Sequence, residues 1–213
     1  MSRKTLAATL SALLLTGGTL GLTACQETAP TASKTPGSET TPIPSGPKKW
    51  VDPLGITTEF TTEPSESEDP LNINAQVRLN RVEGAVTGQF ENTFARYIVY
   101  FDGEPAAPLQ WSATGWQDEV IADGSGEPID LAGARKLQIV IAGVAYPENL
   151  EDPHDVPLTK SLDPAITDAT IELPFEGYSR FQIAAEEDFP YRVTVLDNPT
   201  RLVLDVKTPT ILD

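Results

Sequence analysis

The sequence predicts an all-β fold, a single β-sandwich of two packed, mainly antiparallel sheets that follows a disordered linker. Three observations carry this expectation. Apolar residues alternate with period two: Leu137, Ile139 and Ile141 with Lys136, Gln138 and Val140, then Phe181, Ile183 and Ala185 with Arg180, Gln182 and Ala184. Helical spacing of apolar residues is almost absent. Short runs are separated by turn residues such as Asp102-Gly103 and Asp123-Gly124-Ser125-Gly126, and many short strands divided by turns form sandwiches or barrel-like folds.

In chain order, the first segment has the parts of an export signal: Arg3 and Lys4, an apolar stretch from Leu6 to Leu15, then small residues before a cleavage region. It is short and broken by glycine, which argues against a membrane span. The only cysteine, Cys25, ends Leu22-Thr23-Ala24-Cys25, which resembles the lipobox of bacterial lipoproteins. The resemblance implies that residues 1–24 are removed and that the Cys25 thiol carries a diacylglycerol, with palmitate-type acyl chains anchoring the product in the cell membrane on its extracytoplasmic face. One acyl chain binds a bilayer marginally and two or more bind it stably. With Cys25 lipidated no thiol remains for a disulfide, so the exported fold must be held by its core.

Residues 25–70 are rich in Thr, Ser, Pro, Glu and Gly, as in Thr35-Pro36-Gly37-Ser38-Glu39-Thr40. This composition predicts a disordered tether reaching on the order of 40 Å. Within it, Trp50-Val51 and Ile56 to Phe60 are either a short docked strand or stray apolar residues, and the tether is the expected reading.

Residues 71–213 have the composition and length of one folded domain. Strands are expected at Ala75 to Val82, Ala95 to Asp102, Leu109 to Trp111, Lys136 to Ile141, Ala169 to Leu173 and Arg180 to Ala185. Tyr191 to Leu196 and Arg201 to Val206, joined by Asp197-Asn198-Pro199-Thr200, predict a terminal hairpin. Tyr146 to Thr167, with four prolines, is expected to be a long surface loop.

The formal net charge is −16, and removing residues 1–24 takes away Arg3 and Lys4 and lowers it to −18. Phosphate backbones would repel such a chain, so no nucleic-acid partner is expected, nor a polybasic contact with anionic lipid.

Four segments carry a further resemblance: Tyr191 to Val206, ending Asp197-Asn198-Pro199-Thr200-Arg201-Leu202-Val203-Leu204-Asp205-Val206; Phe94-Ala95-Arg96-Tyr97-Ile98-Val99-Tyr100-Phe101; Asp123 to Gly133; and Phe175-Glu176-Gly177-Tyr178. In this order they resemble the AMIN-like domain of actinobacterial lipoproteins. Glu91-Asn92-Thr93 stands where that family commonly has His-Asp-Gly. The resemblance implies an extracytoplasmic β-sandwich related to domains that accompany peptidoglycan amidases and secretion pores.

Catalysis is not expected. The only histidine, His154, lies in the polar, proline-flanked Glu151-Asp152-Pro153-His154-Asp155, where nothing rigid would position a base. One histidine is also too few for the usual zinc sites. Asp123, Glu127 and Asp130 do not have calcium-loop spacing and read as a turn. No metal site and no cofactor are therefore expected. The candidate ligand-binding residues are Trp111 and Trp116 with Gln110 and Gln117, since exposed indoles stack on sugar rings and glutamines bond their hydroxyls; the alternative is core packing. Arg96 and Arg201 are expected to pair with carboxylates, Asp205 or Asp102 among them. The expected function is binding of a cell-envelope component, peptidoglycan first. The alternative is a protein–protein adaptor in the envelope, with a carboxylate-based hydrolase third.

Overall fold

The computed structural model describes residues 50–89, 93–146, 156–160 and 163–209. Cys25, residues 1–24 and His154 lie outside the described residues. The chain divides at Gly46, and only the second unit, Pro47–Asp213, contains described residues. This unit starts well before Leu71, where composition set the domain boundary.

Among the described residues there are eleven strands and no helix. They are β1 (Ser65–Glu66), β2 (Val77–Thr87), β3 (Phe94–Asp102), β4 (Gln110–Gln117), β5 (Arg135–Ala142), β6 (Val144–Ala145), β7 (Leu158–Thr159), β8 (Ile166–Phe175), β9 (Tyr178–Ala185), β10 (Tyr191–Leu196) and β11 (Arg201–Val206). One sheet has the order β1-β4-β5-β9-β8 and the other β10-β11-β3-β2-β6, with β7 also paired to β2. All pairings are antiparallel except the short β6 and β7 additions to β2. The predicted β-sandwich is the observed fold.

The alternation that predicted the strands builds the core. Leu137, Ile139 and Ile141 of β5 and Phe181, Ile183 and Ala185 of β9 point inward from one sheet; Ala95, Tyr97, Val99 and Phe101 of β3 and Leu202, Leu204 and Val206 of β11 answer from the other. The Tyr97 and Phe181 rings meet between the sheets at 5.3 Å. Burial of these side chains contributes about 1.5–3 kcal/mol each relative to exposure.

Bulges help to set which side chains face that core. In β2 the register shifts between Leu79 and Arg81, so Leu79 and Val82, three positions apart, both point inward. In β4 it shifts between Ala113 and Trp116, with the same effect. The terminal hairpin pairs Tyr191 with Val206 through Leu196 with Arg201, as its sequence predicts. The stretch expected to be one surface loop contributes β7, where Leu158 pairs with Val82, and the first two residues of β8, Ile166 and Thr167.

Residues 50–70, expected to be disordered, pack on the domain. Thr61 and Tyr191 exchange backbone hydrogen bonds at 2.8 Å each way, β1 pairs with β4, and the Ile56 side chain is buried. We call residues 50–61 the strap.

Candidate functional site

The strap lies on the outer face of the sheet that contains β3, β10 and β11. A transverse row crosses these strands there: Arg192 of β10 is registered with Asp205 of β11, and Asp205 with Arg96 of β3. Inward neighbours on each strand enter the core, so this row must face outward. It is nevertheless buried, with Asp205 fully inaccessible, because the strap covers it.

Asp52 of the strap completes the row. Arg96 donates to Asp205 from Nε (2.7 Å) and Nη2 (2.8 Å), and to Asp52 from Nη1 (3.1 Å) and Nη2 (2.6 Å). Arg192 donates to Asp205 from Nε (2.9 Å), to Asp52 from Nη2 (2.9 Å), and to the Ile56 and Thr58 carbonyls from Nη1 (3.4 and 3.2 Å). The Leu54 N–H also donates to Asp52 Oδ1, at 2.9 Å. Two cations thus face two anions with fork geometry, the arrangement that buried charges require.

Burial pushes the Asp52 carboxyl upward, but hydrogen bonds from Arg96 and the Leu54 N–H, with both guanidinium charges, outweigh it and hold Asp52 below the usual carboxylate value. Burial likewise opposes the Arg96 charge, and the bonds to Asp205 and Asp52 overcome it, raising the guanidinium above its ordinary value.

Aromatic rings surround the charges. Phe94 lies 5.6 Å from Trp50 and 6.0 Å from Phe60, edge to face in both cases. The Arg192 guanidinium lies 4.6 Å from the Phe60 centroid and 5.3 Å from that of Phe94, and Arg96 5.1 Å from Phe94, all within cation–π range. Beside this stack opens a recess of about 170 Å³ lined by Trp50, Phe60, Phe94, Arg192 and Lys207. Phe94 and Arg192 are buried, Trp50 and Phe60 half-buried, and Lys207 exposed. The Lys207 ammonium has no ion-pair partner among the described residues.

The sequence-based candidates lie elsewhere and do not form an open platform. Trp116 is only 7% exposed, packs edge to face on Phe189 and donates its indole N–H to the Phe189 carbonyl at 2.7 Å. The β4 bulge returns it to the inner face opposite Leu137, so it is a core residue. Gln110 is 4% exposed and its Oε1 accepts the Asn72 N–H at 2.9 Å, which ties down the loop before β2 and takes it from any ligand. Trp111 is half-buried against the core, and Gln117 alone of the four is exposed.

Arg96 pairs with Asp205, one of the two partners expected, and with Asp52, which composition had assigned to the tether. Arg201 instead donates to the Pro199 carbonyl at 3.0 Å. Asp123, in the glycine-rich turn, is paired with Arg180, while its N–H donates to Glu172. The turn closes through the Ile121–Pro128 bridge, and among the described residues no group of three or more His, Cys, Asp or Glu is placed to hold a metal.

A profile of the AMIN-like domain matches residues 80–208, more than half of the chain. The chain belongs to the AMIN-like domain family. Membership implies a general role at the cell envelope, associated with peptidoglycan. No curated protein and no solved structure matched. The AMIN-like segment supplies Phe94, Arg96, Arg192, Asp205 and Lys207, whereas Trp50, Asp52 and Phe60 precede it.

Sequence reasoning weighed a docked strand at Trp50-Val51 and Ile56 to Phe60 but ranked the tether above it, and the strap is docked. Nothing local marks Asp52 as the counter-ion of arginines 44 and 140 positions away.

Proposed function

We propose that this AMIN-like protein is a non-enzymatic binding module of the cell envelope, tethered through a lipid on Cys25 to the outer face of the cell membrane, and that it binds peptidoglycan. The observation that carries the binding reading is the recess beside Lys207, where half-buried aromatic side chains adjoin an ammonium that has no ion-pair partner among the described residues. Aromatic faces take the C–H face of a sugar ring, and a few convergent polar groups orient it. The non-enzymatic reading is supported by the same cluster. Asp52, a carboxylate beside the recess, is held ionised by two arginines and so has no proton to donate, and both its oxygens are engaged by Arg96, Arg192 and the Leu54 N–H, which keeps it from acting as a base. The lipid tether rests on the Leu22-Thr23-Ala24-Cys25 box.

A second reading, a protein–protein adaptor, is favoured by a different feature. Among the described residues β8 is hydrogen-bonded to a strand on its β9 side only, and a recess of about 310 Å³, lined by Val156, Leu158, Ala169, Ile171 and Leu173 together with Lys160 and Thr170, adjoins it. An unpaired edge next to apolar side chains accepts an added strand. The discriminating experiment is retention of the full chain on purified peptidoglycan beside capture from envelope extract. Retention without release of soluble fragments is the expected result. Fragment release would refute the non-enzymatic reading, and capture of a protein with no retention on peptidoglycan would replace the glycan by the adaptor.

A further inference from the structure

We infer that the recess between the strap and the AMIN-like sheet is a subsite for a single pyranose ring bearing one carboxylate, and that it exists only while the strap is docked. The inference rests on the glycan-binding reading above and adds to it the place, the charge and the size of what is bound.

Size comes first. At about 170 Å³ the recess lies below the range of roughly 300–1,000 Å³ typical of sites for drug-sized ligands. It has room for one ring rather than an extended chain, so the rest of a glycan would run on past the rim.

The walls determine the ring's character. Half-buried Trp50 and Phe60, backed by buried Phe94, present aromatic surface, which suits a ring with an apolar C–H face. A cationic ligand would meet the like charge of the Lys207 ammonium at the rim and be repelled.

The charge is fixed by counting donors. Every Arg192 and Arg96 nitrogen already donates to Asp52, Asp205, Ile56 or Thr58. These guanidinium groups are therefore structural. Lys207 is the cation at the rim without an ion-pair partner among the described residues, and one ammonium matches one carboxylate.

Dependence on the strap follows from where the walls originate. Trp50 and Phe60 flank Asp52 on the strap, outside the matched segment 80–208. If the strap leaves, two of the five lining residues leave with it. The AMIN-like segment alone then presents only Phe94, Arg192 and Lys207.

The test is a titration of the full chain, labelled with 15N at its tryptophans. N-acetylmuramic acid and glucuronic acid are the two acidic probes, distinguishing an ether-linked from a ring-borne carboxylate, and N-acetylglucosamine is the neutral one. The expected result is movement of the Trp50 indole N–H signal by at least one acidic sugar, with that of buried Trp116 unmoved. Lys207→Gln should weaken the acidic sugar by roughly two- to five-fold and leave the neutral one unchanged. Trp50→Ala should weaken retention on peptidoglycan by at least about five-fold. No movement of the Trp50 signal, or equal affinity for acidic and neutral sugars, overturns the subsite. Wild-type retention that Trp50→Ala leaves intact overturns the subsite while the glycan reading stands; absence of wild-type retention overturns both. Lys207 is exposed and outside the ion-pair cluster, so its variant tests the site without threatening the fold.

Discussion

Replacing Asp52 by alanine tests whether the strap is part of the fold. Its carboxylate accepts three hydrogen bonds from Arg96 and Arg192 and one from the Leu54 N–H, with the side chain only 6% exposed. Removing one member of a buried ion-pair network costs about 3–5 kcal/mol, because the partner charges stay buried without compensation. Asp52→Ala leaves two guanidinium groups to share Asp205. The strap can respond by lifting off and exposing them to water, which caps the loss but gives up the burial of Ile56 and the Phe60 and Phe94 contacts. Either route predicts a loss of about 3 kcal/mol or more. A chain with a folded unit of this size loses roughly 2–4 °C per kcal/mol, so the thermal midpoint should fall by about 6 °C or more. Urea denaturation of the full chain, followed by tryptophan fluorescence, gives the loss directly. The depressed carboxyl also fixes a pH signature. A group whose folded pKa lies below its unfolded value of about 3.9 contributes stability that is present above about pH 4 and lost as pH falls through the folded value. The gap between wild type and Asp52→Asn should therefore persist from neutral pH to about pH 5 and close below pH 4. A loss under about 0.5 kcal/mol at pH 7, or a gap independent of pH, would refute the placement of the strap.

Trp116→Ala should cost about 3–5 kcal/mol in a denaturation experiment, since it removes a buried indole and leaves the Phe189 carbonyl without its donor; full stability would return Trp116 to the surface. Gly143 has φ +79°, and a Cβ there would lie 2.7 Å from the Ala75 Cβ and 2.8 Å from its nitrogen. Gly143→Ala should accordingly lower stability by about 1–3 kcal/mol, and an unchanged urea midpoint would contradict the backbone path between β5 and β6. Cys25→Ser should abolish labelling by fatty acid and release the protein from membranes; persistent labelling would end the lipoprotein proposal.

The sandwich was legible because its determinants are local. The alternation in Lys136 to Ile141 and Arg180 to Ala185 is imposed by two unlike environments on the faces of one sheet, and period two records it directly. The site was less legible, for two physical reasons. Alternation fails across a bulge: Ala113 and Trp116 are three apart and would occupy opposite faces of a regular strand, yet the extra residue beside Gly115, at φ +71°, brings both inward. Trp116 therefore looked like the start of a loop. The strap is held by contacts that have no sequence proximity. Its composition is that of a tether because its own residues bury little; what retains it is charge supplied by β3 and β10. Arg96 was read as structural, paired with a neighbouring carboxylate such as Asp205 or Asp102, but the second carboxylate, Asp52, lay in the segment that composition assigned to the tether.

The order of the strap's attachments along the chain has a mechanical meaning. Tension arriving from the N-terminal side, where a membrane tether would pull, meets the Trp50–Phe94 ring contact and then Asp52 before the Thr61–Tyr191 bridge and β1. The first contacts to yield would be that ring contact and the charge pairs, which burial shields from salt, and their loss would open the recess while the sandwich stayed intact. A stretched molecule would thus lose the proposed ligand site without unfolding, and would rebuild it when slack returned.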